Sequence, residues 1–105
     1  MANPWRSEVE VIVNGESVAA RLTLGALAEL EAANGSQSLF ELIERFEARR
    51  FRTEDVIDVL CAGLRGGGWV GSRDDLLAAE VEGGPIAAGK AAGALLLRAF
   101  ALPEA

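Results

Sequence analysis

The sequence predicts an α+β fold that is mainly helical, with one N-terminal antiparallel β-hairpin packed on four or five short helices. Two observations indicate this fold class. Residues 7–22 alternate in polarity around an Asn-Gly pair, and the later segments repeat apolar residues at helical spacing behind capping residues. Because 105 residues are the length of one domain, we expect a flexible N-terminus at 1–6 and a single domain over 7–102.

The hairpin is centred on Asn14 and Gly15, the residue pair preferred in a two-residue type I′ turn. Apolar residues occupy alternate positions on both sides of this turn, which is the period of a half-buried strand. With this turn Val11 faces Val18, so the apolar residues of the two strands share one face. An isolated hairpin is not stable, and we therefore expect a helical layer to cover that face.

Five helical segments follow the hairpin. Thr23 is placed to cap the first, Ser38 opens the second, and the glycine run 66–68 stops the third. Pro85 suits the first turn of the last helix. These signals predict helices at about 23–33, 38–48, 53–65, 72–80 and 86–101.

The composition excludes several classes of function. The chain has no His and only one Cys, which removes His-based acid–base chemistry, His metal ligation, Cys–His dyads and intrachain disulfides. Sixteen acidic against ten basic residues give a net charge of −6, which disfavours binding to nucleic acid. The most apolar stretch, 86–102, is short and carries Lys90 and Arg98, so no membrane segment is predicted. Without an export signal, we expect the cytoplasm of a bacterial cell.

The candidate catalytic features have simpler structural explanations. The glycine run 66–68 ends a helix and has no Lys behind it, so it does not match a phosphate-binding loop, and we interpret it as a flexible helix exit. Asp55 and Asp58 fall on the polar side of a helix, where we expect a solvated face. Cys61 lies on an apolar helix face, where a thiol behaves as a small hydrophobic group. We therefore predict no catalytic, metal-binding or cofactor-binding residues.

Glu31 is the least expected carboxylate, because it falls within the predicted apolar arc of the first helix, four residues after Leu27. A carboxylate in such a place needs a partner. We expect Arg45 or Arg65 to form a structural ion pair with it. A small hydrolase or transferase that used Glu31 with Asp55 is an alternative, and it would need both side chains in one pocket.

The last predicted helix is apolar on most of its sides. A helix of this kind is either buried or covered by a partner, and excess apolar surface marks protein–protein contacts. The Gly89–Gly93 spacing would let it pack closely on its own core or on another subunit, and the same helix could mediate self-association. The predicted partner-binding residues are Phe51, Trp69, Leu96, Leu97 and Phe100.

Five short segments occur in an order typical of one known family. They are LTLGALAELE (22–31), RF with DV (45–46 and 55–56), AGLRGGG (62–68), VEGG (81–84) and LLLRAF (95–100). With them the chain resembles the gene transfer agent tail assembly chaperones, which are similar to small phage tail assembly chaperones and include proteins labelled as tail tube proteins. The resemblance is poorest over 1–6 and 69–79, and no role is carried onto those positions.

The resemblance implies a non-enzymatic helper in the assembly of a phage-like tail. Such a chaperone would bind the tape measure protein, the tail tube protein or both, need no cofactor, and be absent from the mature particle. One alternative is a structural tail component, such as a tube or connector subunit, although a single hairpin is too little to line a tube. Another is a DNA-binding regulator built on 38–65, against which the net charge counts.

Overall fold

The computed structural model describes residues 8–35 and 38–100. These residues form a two-stranded antiparallel sheet followed by five helices, which confirms the predicted α+β fold class. The predicted flexible N-terminus at 1–6 and the predicted domain end at 102 lie outside them. The elements are β1 (Val9–Val13), β2 (Glu16–Ala20), α1 (Leu24–Ala33), α2 (Leu39–Glu47), α3 (Thr53–Gly66), α4 (Arg73–Leu77) and α5 (Gly84–Ala99).

The strands β1 and β2 pair in the predicted register, with Val11 opposite Val18. Asn14 has φ 51° and Gly15 has φ 81°, and these left-handed conformations are the ones that a type I′ turn requires. Alternate side chains of both strands are buried. The turn therefore fixes the register and, with it, which side chains reach the core.

At its end next to the turn, the free edge of β1 pairs with a segment from much later in the chain. Val81 forms an isolated β-bridge with β1. The Asn14 N–H donates to the Glu80 carbonyl oxygen (2.8 Å), and the Glu82 N–H donates to the Ile12 carbonyl oxygen (2.9 Å). This third stretch of paired backbone was not predicted, because a single Val between two Glu residues has no strand pattern of its own.

The central helix of the core is α3, which packs against α1, α4, α5 and β2. Its residues 59–64 are all buried, so the helix is enclosed by the core on more than one side. Leucines from the surrounding helices complete the core, and Leu30, Leu42 and Leu95 are at most 1% exposed. Through its first turns, α3 also supplies side chains to the surface groove described below.

The C-terminal end of α3 lies directly against the backbone that follows β2. A Cβ atom on Gly66 or Gly67 would stand well under 3.0 Å from the carbonyl oxygen of Arg21 or Ala19. The Arg21 N–H also donates to the Gly63 carbonyl oxygen (2.9 Å). The glycine run does end α3, as predicted, and its first two glycines also allow close packing of helix on strand.

The helix ends follow the predicted caps to within a few residues, except at α4. The Thr23 hydroxyl accepts the Ala26 N–H (3.1 Å) at the start of α1, as predicted. The helix α4 ends at Leu77 and does not continue to residue 80. The reason is that the Glu80 N–H and carbonyl groups both bond to Asn14 in the β-hairpin turn.

Candidate partner-binding groove

An apolar groove of about 950 Å³ opens between α3, α4, the start of α5 and the segment 80–82. Several of its lining side chains are also members of the core, so the floor of the groove is the outer surface of the core itself. The volume is enough for several large apolar side chains of a partner. The apolar groove is lined chiefly by Ile12, Phe51, Val56, Ile57, Leu60, Leu76, Val81 and Ala88.

Phe51 stands at the edge of the apolar groove and is 37% exposed. Its ring stacks on Phe46, with ring centroids 4.7 Å apart and planes at 4° to each other. On another side the ring lies over Gly89 of α5, where a Cβ atom would be 3.7 Å away. The structure thus brings the predicted partner residue Phe51 to the groove, where packing holds the ring in place and part of it remains accessible.

Two acidic residues, Glu80 and Glu82, belong to the lining of the apolar groove. Both residues are exposed, and within the ranges 8–35 and 38–100 neither side chain forms an ion pair. Their backbone is held by hydrogen bonds to Asn14 and Ile12, so both residues stay at the edge of the groove. The apolar groove therefore combines a hydrophobic floor with a negative side.

The other predicted partner residues divide between surface and core. Leu97 is 72% exposed and Phe100 is 39% exposed, so both are accessible at the end of α5. Leu96 is only 2% exposed, and its assignment to a partner surface is corrected. It shares with Ala92, four residues earlier, the side of α5 that packs on the core. Trp69 is partly buried against the core.

A second cleft, of about 650 Å³, lies between the start of α1 and the end of α3. It is lined by Trp69 and by an ion pair between Glu29 and Arg65 (2.7 Å). Val70, which is 99% exposed, stands at its edge. The structure therefore places Phe51 and Trp69 in two different recesses and does not unite the predicted partner residues in one site.

The predicted ion pair of Glu31 is replaced by two other pairs. Glu31 is exposed, because α1 turns about 100° per residue and its core-facing side is centred elsewhere. Arg65 pairs with Glu29, and Arg45 pairs with Asp55 at 3.1 Å. The prediction for Glu31 is therefore wrong, whereas both arginines that were considered for it do form structural ion pairs.

Asp55, at the start of α3, is the centre of a buried polar cluster and is 1% exposed. Its carboxylate accepts hydrogen bonds from the Arg45 guanidinium (3.1 and 3.2 Å) and from the Arg52 N–H (2.8 Å). Burial by itself raises the pKa of this carboxyl group, but the hydrogen bonds outweigh it, and the pKa of Asp55 lies below its ordinary value. The solvated face predicted for Asp55 is wrong, since this side chain joins α2 to α3.

The structure does not bring Glu31 and Asp55 into one catalytic pocket, because Asp55 is enclosed by arginines and neither residue lines the apolar groove. Asp58 pairs with Arg73. Burial raises the pKa of the Cys61 thiol, which lowers its reactivity as a nucleophile. In the described part of the chain, no group of three or more Cys, Asp and Glu side chains is arranged to hold a metal ion.

The Gly89–Gly93 face of α5 packs on aromatic rings of the same chain. A Cβ atom at Gly93 would be 3.8 Å from the Phe46 ring, just as Gly89 lies beneath Phe51. The sequence left open whether this face packs on the domain's own core or on another subunit. In the structure it packs on side chains of its own domain. Among the helices described, α5 included, none combines the length and the apolar character needed to cross a membrane.

Replacing Gly93 with Ala is expected to preserve or raise stability. The new Cβ would make an ordinary contact with Phe46, and Ala favours a helix over Gly by about 1 kcal/mol. Thermal denaturation followed by circular dichroism should show a midpoint that is unchanged or higher by up to about 8 °C. The matched variant Gly63→Ala should lower the midpoint, because its Cβ would stand 2.6 Å from Cδ1 of Leu95, whose fully buried side chain has little room to move aside. A destabilised Gly93→Ala variant would contradict the packing of α5 described above.

The family of the chain follows from its match to a family model. A model described as phage tail tube protein, GTA-gp10, matches residues 6–102, which is nearly the whole chain. The chain belongs to this family. No curated protein and no solved structure matches it.

Membership of the GTA-gp10 tail tube family supports the gene transfer agent or phage tail assignment that the sequence resemblance implied. The family description names a structural tail protein, so the match supports a structural role in a gene transfer agent or phage tail. The match does not extend to the chaperone role. It fits the alternative prediction, a structural tail component, better than the chaperone.

Proposed function

We propose that this member of the tail tube family is a non-enzymatic protein that acts in the tail, or in its assembly, by binding another tail protein in its apolar groove. The observation that carries the proposal is the groove of about 950 Å³, whose floor is continuous with the core. Phe51 adds an aromatic side chain at the edge that is packed and still accessible. Apolar recesses with an aromatic anchor are typical of protein-binding sites.

In the first form of this proposal the chain is a structural subunit that stays in the tail, as the family description favours. The described sheet has two strands, with a single bridge to Val81 at its edge. A closed β-barrel wall requires every strand to pair on both sides around the ring. We therefore infer a connector position in contact with the tube protein, and not a place in a strand-lined wall.

An assembly chaperone is the second candidate, and one observation favours it. Large apolar side chains are exposed outside the apolar groove, including Phe40 (73%), Ile86 (75%) and Leu97 (72%). Such surface suits temporary contact with apolar helices of a tape measure protein, or with tail tube protein before it assembles. In this role the chain would act in the cytoplasm of the bacterial host and be absent from the mature particle.

Co-expression of the tagged chain with the neighbouring tail genes, followed by pull-down and mass spectrometry, tests the proposal. We expect recovery of a tail tube or tape measure protein, and recovery of neither would contradict the proposed function. Quantifying the chain in purified particles then distinguishes the two forms. A fixed ratio to the tube protein would support the structural subunit, whereas absence from the particle would support the chaperone.

Two variants determine which surface makes the contact. Phe51→Ala should weaken recovery of the partner at least about tenfold, because an aromatic anchor at the groove is lost. Leu97→Asp should leave recovery unchanged, because Leu97 is 72% exposed at the other end of α5 from the groove. Circular dichroism of both variants serves as the folding control. If Leu97→Asp weakens recovery and Phe51→Ala does not, the contact lies at Leu97 and Phe100 instead.

A further inference from the structure

We infer that the apolar groove selects a basic amphipathic helix, namely a helical segment of the partner protein with an apolar face flanked by Lys or Arg. This inference rests on the proposed function and deepens it by stating the chemistry of the partner segment. It follows from the juxtaposition of a hydrophobic floor with two acidic residues of the lining, Glu80 and Glu82.

The floor of the apolar groove is suited to apolar side chains. Ile57 and Val81 are half-buried, and Leu60, which also lines the groove, is 2% exposed. A partner that covers these residues removes apolar surface from water, which is the main source of affinity in such contacts. An amphipathic helix presents apolar side chains at positions i, i+3, i+4 and i+7, and several of them would fit in about 950 Å³.

The backbone beside the groove favours a docked helix over an added strand. The N–H and carbonyl groups of Glu80 both bond to Asn14, and the Glu82 N–H bonds to β1. The Val81 carbonyl accepts the Gly84 N–H (3.0 Å). Strand addition requires a row of unpaired backbone groups. Because most of these groups already have partners, side-chain docking is the better match.

The charge of the groove decides which helices bind. A partner seated on the floor would come close to Glu80 and Glu82, so Lys or Arg beside its apolar face would pair with them and acidic residues would be repelled. In the part of the chain that the structure describes, no Lys or Arg lines the groove to offset these carboxylates. We therefore assign affinity chiefly to the floor and selectivity to the two glutamates.

The competing occupant of the groove is a second copy of this chain. Each copy carries a net charge of −6, so two copies repel one another at low ionic strength. The groove itself is acidic and would need a basic surface opposite it. These charges favour a basic partner over self-association, and the test below includes the second copy as an outcome.

Two synthetic helical peptides of about 16 residues test the inference. They share one Leu-rich face and differ only in the flanking residues, which are Lys in one peptide and Glu in the other. At low salt, we expect the Lys peptide to bind the full chain at least about tenfold more tightly than the Glu peptide. This preference should shrink at roughly 0.5 M salt, because salt screens the charges. NMR shift changes on binding should centre on Ile57, Val81 and Ala88.

Charge reversal at the groove provides the matched test. The double variant Glu80→Lys with Glu82→Lys should invert the preference, so that the Glu peptide binds more tightly. Both side chains are exposed, and the bonds that hold this segment come from the backbone, so the variant keeps the fold. As control, Glu41→Lys with Glu44→Lys makes the same charge change on α2, away from the groove lining. This control variant should still prefer the Lys peptide, with a ratio of the two affinities within about twofold of the ratio for the unmodified chain.

Three results would overturn the inference: equal affinity for both peptides, shift changes confined to other surfaces, or light scattering that shows a dimer which must dissociate before the peptide binds. Either of the first two results would show that the groove does not select basic helices. The third would show that a second copy of the chain occupies the groove. If the pull-down still recovers a tail protein, the proposed function survives such a failure. If peptide selectivity holds but no tail protein is recovered, the proposed function fails and the chemistry of the groove stands.

Discussion

Replacing Gly67 with Ala is expected to destabilise the domain by about 3 kcal/mol or more. Gly67 has φ −89° and ψ 4°, a conformation open to any residue, so backbone strain is not the reason. The reason is the close approach of α3 to the sheet, since a Cβ atom would stand well under 3.0 Å from the Ala19 carbonyl oxygen and near the Ala20 backbone. Backbone atoms of a paired strand cannot move aside as a side chain can.

Urea and thermal denaturation of Gly67→Ala check this expectation. A loss of about 3 kcal/mol should lower the thermal midpoint by roughly 12 °C or more. Gly25→Ala is the matched control, because the nearest atom to its new Cβ would be the Thr23 hydroxyl oxygen at 3.9 Å and a helix favours Ala. A Gly67→Ala variant within about 0.5 kcal/mol of wild type would contradict the packing of α3 on β2.

Replacing Asp55 with Asn is expected to lower stability by about 2–4 kcal/mol at neutral pH. The change removes the charge that Arg45 and Arg52 share, at a site that is 1% exposed. It also leaves the Arg45 guanidinium partly buried beside a neutral group. Because this cluster ties α2 to the start of α3, the loss should appear as a lower free energy of global unfolding.

The pH dependence identifies the charge of Asp55 as the cause. The folded-state pKa of Asp55 lies below its ordinary value, so its contribution is complete above the unfolded-state pKa and is lost as pH falls through the folded-state pKa. The advantage of wild type over Asp55→Asn should therefore be full at pH 7 and shrink below about pH 4. Glu31→Gln, at an exposed position, is the matched control and should keep the stability at pH 7 within about 0.5 kcal/mol of wild type. If the difference in free energy of unfolding between wild type and Asp55→Asn does not change with pH, the ion pair is not the cause of the lost stability.

The hairpin and the helix starts could be predicted because their signals are local. Asn14 and Gly15 specify a turn by their backbone preferences, and the turn fixes the register of every strand pair. Thr23 and Ser38 cap the helices that they were expected to cap. In each case the deciding interaction joins residues at most a few positions apart, so one short sequence pattern contains both partners.

The groove and the buried ion pair depend on contacts that local patterns do not encode. The sequence placed Asp55 on a polar face, but α2 folds back so that Arg45 covers it. No strand pattern marks Val81, which reaches β1 only through the fold. The apolar groove lies between these distant parts, and Phe51 was its one lining residue among the predicted partner sites.

The two stability predictions also concern the groove, because both variants act on α3. Asp55 anchors the start of this helix and Gly67 fixes the backbone just after its end. Between them, Val56, Ile57 and Leu60 form part of the groove lining. The position of the binding surface is therefore set by the same contacts that hold the core together.

Hydrogen–deuterium exchange of the chain, alone and with the captured tail protein, tests most directly whether the apolar groove is the binding surface. On binding, amides over 79–88 should exchange at least about tenfold more slowly, because the partner covers the groove and restricts its local opening. Amides at the start of α2 should keep their rates. Slower exchange confined to the end of α5 or to the cleft beside Trp69, with no change over 79–88, would contradict the account.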